Sequence, residues 1–254
     1  MIVGTPSGVT LAPEGGAHQS IGTPLIGMSQ DGLAAFEPAF ADELAVIMEW
    51  AFDYLQRDGE GDPDERTWLR DETGGSVYLR LTTNPIEQPG KRHDDDFRQG
   101  AIDGAYWLRK PGPNCEVVIA YQGAVAPEAI KAAGMLGEGR RDIGVLAVTS
   151  ADRLNAGWTA AQRARARGAT GASAHIETLM ADLPPMCKII TVIDGHPATL
   201  SWLGGVQGHQ VIPLGVEHFG QTGSIADLYR HFGIDAASIV AKAHGLTPGR
   251  PIQH

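Results

Sequence analysis

The sequence predicts an α/β fold built as two units, with mainly parallel sheets covered by helices, and three observations carry that prediction. Short apolar, β-branched runs alternate with stretches of helical periodicity, the pattern of parallel strands joined by crossover helices. Hydrophobic residues make up 43% of the chain but aromatics only 6%, and 33 glycines are available for tight turns, a balance commoner in layered α/β proteins than in all-β sandwiches. At 254 residues the chain can bury one large or two modest cores.

Taken in order, Met1-Ile2-Val3-Gly4-Thr5 reads as the end of a buried strand with no capping or leader residues before it, so the chain is expected to begin inside a domain. The Gly- and Pro-rich stretch from Pro6 to Gly27 is expected to be a loop. Phe40, Leu44, Ile47, Met48, Ala51, Phe52 and Leu55 then recur at helical spacing, with Pro38 at the first turn. After the polar, acidic segment Gln56 to Gly75, Ser76-Val77-Tyr78-Leu79-Arg80-Leu81-Thr82 reads as a strand that stops at Asn84-Pro85. Residues 1–84 thus form a strand, helix, strand unit. Pro89-Gly90, the charged run Lys91 to Asp96 and Pro111-Gly112-Pro113 mark 85–114 as a linker. In 115–254 the expected order is strand Val117 to Ala120, a helix from Pro127, strand Val145 to Val148, a helix around Trp158 to Arg167, strand Lys188 to Ile193, a helix after Pro197, strand Gln210 to Leu214 and two closing helices. That alternation implies a doubly wound, mainly parallel sheet.

Composition narrows the function. Twenty basic against 30 acidic residues leave a formal charge of −10, which argues against nucleic acid and anionic membrane surfaces as partners. No apolar run approaches the roughly 20 residues needed to cross a bilayer, and no basic segment followed by an apolar stretch marks a secretory signal. A cytoplasmic location is expected. Cys115 and Cys187 lie 72 positions apart with no second thiol near either in sequence, which excludes a disulfide framework and any CxxC site and fits a reducing cytosol. Cys187, beside a buried strand, reads as structural. His93 next to Asp94-Asp95-Asp96 reads as part of a solvated charge run rather than a metal site. His196 follows Asp194 at a strand end, where open α/β sheets place ligands, but a capping or interface role is the expectation. Without GxGxxG or GK[ST], Gly204-Gly205 and Gly220-Gln221-Thr222-Gly223 read as turns.

One family is suggested by residues in order along nearly the whole chain. The loop Ala12-Pro13-Glu14-Gly15-Gly16-Ala17-His18-Gln19-Ser20-Ile21 resembles the G-E-D-G-P-T-H-Q-P-I loop of the transketolase superfamily, and still more the E-G-L-Q-H loop of homodimeric pyruvate dehydrogenase. Phe36-Glu37-Pro38-Ala39-Phe40 and the helix after it are similar to that dehydrogenase's D-P-A-Y helix. Thr82-Thr83, Val148-Thr149-Ser150 and the segment His218-Phe219-Gly220 to Phe232-Gly233-Ile234 are similar to its I-T-T, V-T-S and closing F-G elements.

The resemblance implies a thiamine-diphosphate enzyme of three α/β domains, of which this chain holds the C-terminal half of the pyrimidine-binding domain (1–84), a linker (85–114) and the transketolase C-terminal-like domain (115–254). The family's G-D-G…N-N motif is absent, and its activating glutamate would lie upstream of Met1. Thiamine diphosphate and Mg are therefore implied for the complete enzyme, with most of the site outside this chain and no metal ligands within it. His18 and Glu14 are the implied catalytic pair, since a 2-oxo acid passing through anionic adducts needs hydrogen-bond donors and a proton relay. Glu14 stands where transketolases carry Asp for a sugar hydroxyl, and Leu81-Thr82-Thr83 replaces an S-R-Q strand end whose Arg binds sugar phosphate. A small unphosphorylated 2-oxo acid is favoured. The expected function is the C-terminal portion of a pyruvate-type dehydrogenase that decarboxylates and passes the acyl group to lipoyl, incomplete and inactive by itself. Its rivals are a transketolase acting on sugar phosphates and a non-catalytic dimerisation or assembly fragment. The partners implied are a second copy, the missing N-terminal segment in cis or in trans, and a lipoyl acyltransferase.

Overall fold

The computed structural model describes residues 1–11, 14, 16–59, 71–90, 93–139 and 142–246. The first unit centres on a three-stranded parallel sheet of β1 (Ile2–Gly4), β2 (Leu33–Phe36) and β3 (Ser76–Arg80), ordered β1-β3-β2. Helices α1 (Thr23–Met28) and α2 (Ala41–Tyr54) cross between its strands. Phe40, which precedes α2, has no side-chain oxygen with which to cap it. Instead the Glu43 carboxylate folds back to accept the N–H groups of Ala39 (2.7 Å) and Phe40 (3.0 Å). Pro38 therefore precedes the helix instead of occupying its first turn. The face carrying Ile47, Ala51 and Tyr54 packs on Phe36, Val77 and Leu79, and Phe52 points outward, 55% exposed.

Two elements of this unit fall in stretches without a strand or helix signal. Helix α1 lies in the expected loop, and β2 is four residues long and closely preceded by Gly32. The opening strand also differs from expectation: β1 lies at the sheet edge with Ile2 61% and Val3 53% exposed.

The second unit holds five strands, β4 (Ala105–Arg109), β5 (Val117–Gln122), β6 (Ile143–Val148), β7 (Lys188–Ile193) and β8 (Val211–Leu214), ordered β4-β6-β5-β7-β8. All pairings are parallel except β4 with β6. Around them lie α3 (Asp95–Asp103), α4 (Ala126–Glu138), α5 (Ala151–Ala166), α6 (His175–Met180), α7 (Ala198–Ser201), α8 (Gly204–Gln207), α9 (Ile225–Phe232) and α10 (Ala236–Leu246). Because β5 is central and buried along its length, Val117, Ile119 and Tyr121 enter one core while Val118 and Ala120 enter the other. The mainly parallel α/β architecture is as the sequence predicts.

The expected linker is the main correction. Within 85–114, α3 and β4 form, and β4 joins the second sheet. The carboxylates that read as a solvated run open a helix: the Asp94 side chain accepts from Phe97 N–H (3.1 Å), with Asp95 and Asp96 in the first turn, where negative charge is favoured. Gly104, at φ +110°, ends that helix, and Phe97 meets Tyr106 of β4 edge-on at 5.0 Å. Lys91 and Arg92 lie outside the described residues. A second correction concerns the cysteines, whose sulfurs lie 3.6 Å apart in the fold.

The two units are joined along β2. As the other edge of the first sheet, β2 presents backbone groups without a strand partner, and the start of α5 takes them up. Ala35 N–H donates to Asp152 Oδ2 (2.9 Å), Ser150 Oγ donates to Ala35 C=O (2.6 Å), and Glu37 N–H donates to Thr149 C=O (2.7 Å). Among the described residues, no helix is long and apolar enough to cross a membrane.

Candidate functional site

The carboxyl ends of β1, β3, β7 and β8 converge where the units meet, the position at which open α/β sheets bind ligands. Two loops meet there, one following β1 and the other following β8. His18 closes a single 3₁₀ turn, Gly16–His18. The turn is fastened to the second loop at three points: Gly16 N–H donates to Thr222 Oγ1 (3.2 Å), Gln19 Nε2 donates to Gln221 C=O (2.6 Å), and Gly220 N–H donates to Gln19 Oε1 (2.9 Å). At Gly16 a Cβ atom would fall 2.3 Å from Gly220 O, so glycine is required for the loops to close. Glu14 and His18 themselves are exposed. Glu14 N–H donates to Leu11 C=O (3.0 Å), and among the described residues no hydrogen bond joins its side chain to His18. The structure thus puts both candidates on one loop facing solvent, without making them a bonded pair. Ala12, Pro13 and Gly15 of the same motif lie outside the described residues.

Beneath this loop is a buried polar network. Asp194, at the end of β7, accepts from Val9 N–H (3.0 Å) through Oδ1 and from the Tyr229 hydroxyl (3.2 Å) through Oδ2. Gly8, at φ +53°, lies so close that a Cβ would fall 2.1 Å from the Asp194 carboxylate. Arg80, 2% exposed at the end of β3, donates through Nη2 to Ser20 C=O (2.7 Å) and Asp194 C=O (2.7 Å), and through Nη1 to Glu37. Glu37 also accepts from Gln122 Nε2 (3.0 Å), whose Oε1 accepts from Ala151 N–H (3.2 Å). Burial opposes ionisation throughout this cluster. It lifts Glu37 to about 7 against the pull of Arg80, and Asp194 to about 6. Nearby, burial lifts Asp152 to about 7.

Gln19, Glu37 and Thr222 stand in segments that carry the family resemblance but were not singled out as functional, and Arg80 stands in no such segment. The only available signal for Arg80 was a charge in an otherwise apolar strand. Both of its terminal nitrogens are engaged, while its buried Nε has no partner among the described residues. His196 is a cap, as expected: Nδ1 accepts from Ala198 N–H (3.2 Å), while its own N–H donates to Ile21 C=O (2.9 Å). His93 pairs with Asp42 (2.8 Å), and among the described residues no group of three His, Cys, Asp or Glu could hold a metal ion.

A three-stranded parallel unit is thus docked edge-on to a mainly parallel five-stranded one, with the loop site at their junction. The transketolase of Pichia stipitis in complex with sedoheptulose-7-phosphate superposes with a TM-score of 0.68 at 17% identity, over 96% of this chain and 30% of that one. A split-gene transketolase described as an inactive beta4 tetramer superposes with a TM-score of 0.60 at 17% identity, over 96% of this chain and 65% of that one. No family model matches the sequence. In sequence, the chain is 27% identical over 249 residues to the pyruvate dehydrogenase E1 component of Mycolicibacterium smegmatis, covering 94% of this chain and 25% of that protein. The chain is thus similar in fold to transketolases and in sequence to part of pyruvate dehydrogenase E1 components. It spans about a quarter of the length of the curated relatives it matches.

Proposed function

We propose that the chain is the C-terminal portion of a thiamine-diphosphate-dependent 2-oxo acid dehydrogenase of the pyruvate type. The observation that supports this most is the His18 turn, pinned by Gln19 and Gly16 across the junction of the two units, in a chain whose sequence is similar to pyruvate dehydrogenase E1. A solvent-facing imidazole on a braced loop can hold or deliver a proton at a substrate oxygen, and Glu14 on the same loop can share that role.

The residues here do not fit a diphosphate-bound metal ion. The described residues include no metal-holding group, and the Asp194 carboxylate beneath the loop is already engaged by Val9 and Tyr229. In this reading thiamine diphosphate and Mg are held by a segment outside this chain, joined in cis or supplied in trans. Leu81-Thr82-Thr83, in place of an S-R-Q strand end, favours an unphosphorylated substrate over a sugar phosphate. In this reading the protein works as a dimer in the cytoplasm and passes its acyl group to a lipoyl acyltransferase. A second reading, an assembly fragment without catalysis, is favoured by the open edge at β1, and transketolase activity is the enzymatic rival.

Two measurements test the proposal. Calorimetry of this chain with thiamine diphosphate and Mg²⁺ should show no binding, and micromolar affinity would refute the division of the site. The polypeptide extended through the preceding domains should reduce ferricyanide with pyruvate and ignore xylulose 5-phosphate. The opposite preference would establish the transketolase reading, and inactivity with both substrates despite bound cofactor would establish the assembly reading.

A further inference from the structure

Away from the site, the chain's two cysteines come together. They are 72 positions apart in sequence, yet Cys187 Sγ–H donates to Cys115 Sγ at 3.6 Å. Cys115 stands just before β5 and Cys187 just before β7, neighbouring parallel strands aligned here by Lys188 N–H donating to Glu116 C=O (3.0 Å). Both enter the core containing Val118, Leu183 and Ile189, and they are 3% and 1% exposed. Backbone contacts hold each in place. Cys115 Sγ bonds Val117 C=O (3.4 Å), and His209 Nδ1–H donates to the Cys187 carbonyl (2.9 Å). One step back along that register Cys187 stands opposite Glu116, the residue next to Cys115, and the sulfurs need to close by only about 1.5 Å to reach disulfide bond length.

We propose that Cys115 and Cys187 are a two-electron redox pair that closes to an intrachain disulfide, stapling β5 to β7, when the protein meets a hydroperoxide. The hydrogen bond between them favours the Cys115 thiolate and disfavours that of Cys187, so Cys115 is the attacking sulfur. Its thiolate attacks a peroxide oxygen: the S–O bond forms, the O–O bond breaks, and the departing oxide takes a proton to leave as water or an alcohol. Cys187 then gives up its proton and attacks the sulfenic sulfur. The S–S bond forms, the S–O bond breaks, and hydroxide leaves with that proton as water. Two thiols and one hydroperoxide become one disulfide, one water and one further water or alcohol. Entry is through local opening beside Met186, which is 79% exposed. The pair lies at the amino ends of β5 and β7, opposite Gln122 and Asp194, so its closure leaves the candidate site in place.

The test treats the whole chain with hydrogen peroxide, then denatures, alkylates and maps the cysteine peptides by mass. The expected result is one linked peptide pair lighter by two hydrogens, unalkylated and released by dithiothreitol, with Tm raised by roughly 5 °C or more because a long loop is closed in the unfolded chain. Cys115→Ser and Cys187→Ser should each abolish the linked pair. Both thiols still alkylated, oxygen added to either thiol without linkage, or linkage between chains would each overturn the proposal. The wild-type map decides even if a serine variant fails to fold.

Discussion

Gln19 spends its whole amide on one task, donating to Gln221 and accepting from Gly220, and so it determines where His18 stands. Gln19→Ala should leave the fold intact and loosen the turn, seen as faster amide exchange at residues 16–20 and 220–222; unchanged exchange would show that the clamp is not needed. Deeper, Arg80 is the one cation paired with the Glu37 carboxylate among the described residues. Arg80→Met should cost about 3–5 kcal/mol in urea unfolding, the scale for leaving a buried charge unpaired, and Arg80→Met with Glu37→Gln should recover part of that loss. The same cluster gives a pH dependence of defined sign. Glu37 and Asp194 hold their protons more tightly in the folded chain, at about 7 and about 6, than in the unfolded chain, where ordinary values apply. Their stabilising contribution is therefore present at low pH and is lost as pH rises through that window. The urea midpoint should fall from about pH 5 to about pH 7.5 and do so less steeply in Glu37→Gln, and an identical slope in that variant would contradict the account. His18 and Glu14 can be proposed from the sequence because a loop motif carries them. Arg80 cannot, since a lone charge in a strand says nothing of the three acceptors that distant segments bring to it.

Among the elements, the start of α5 has the widest reach. Ser150 and Asp152 cap their own helix or bond across to both backbone groups of Ala35, so the second unit finishes the edge of the first sheet. Asp152→Ala should therefore cost about 1 kcal/mol, the scale for losing a hydrogen bond to a half-buried N–H, and should uncouple the units in differential scanning calorimetry. A single, equally sharp transition would argue that β2 does not need this contact. The strands of the second unit were readable because β5, β6 and β7 are buried on both faces and so form continuous apolar runs. By contrast, β2 is four residues long and takes its support from α5. Strand β4 is antiparallel and sits between Gly104 and a Pro/Gly cluster, so local punctuation resembled a linker while tertiary pairing made a strand. Length and partner, rather than propensity, decided those two elements.

For the molecule as a whole, the two units share one buried polar junction, while protection of the first sheet is one-sided: β2 is covered and β1 is open, with Ile2 and Val3 exposed. Hydrogen exchange should show 1–11 exchanging well before β5 and β7, and equal protection in a monodisperse monomer would mean that the edge is closed in a way the chain does not show. The order of units and strands follows from the sequence because each crossover is local. Their docking did not, because it depends on single backbone groups such as those of Ala35. The central claim is that this junction presents His18 for 2-oxo acid chemistry in a larger enzyme. Its most direct test is the steady-state turnover of pyruvate by the extended, cofactor-loaded polypeptide carrying His18→Ala. The account predicts a fall of ~10²-fold or more, the scale of a lost acid or base group, with cofactor binding retained; wild-type turnover in that variant would contradict it.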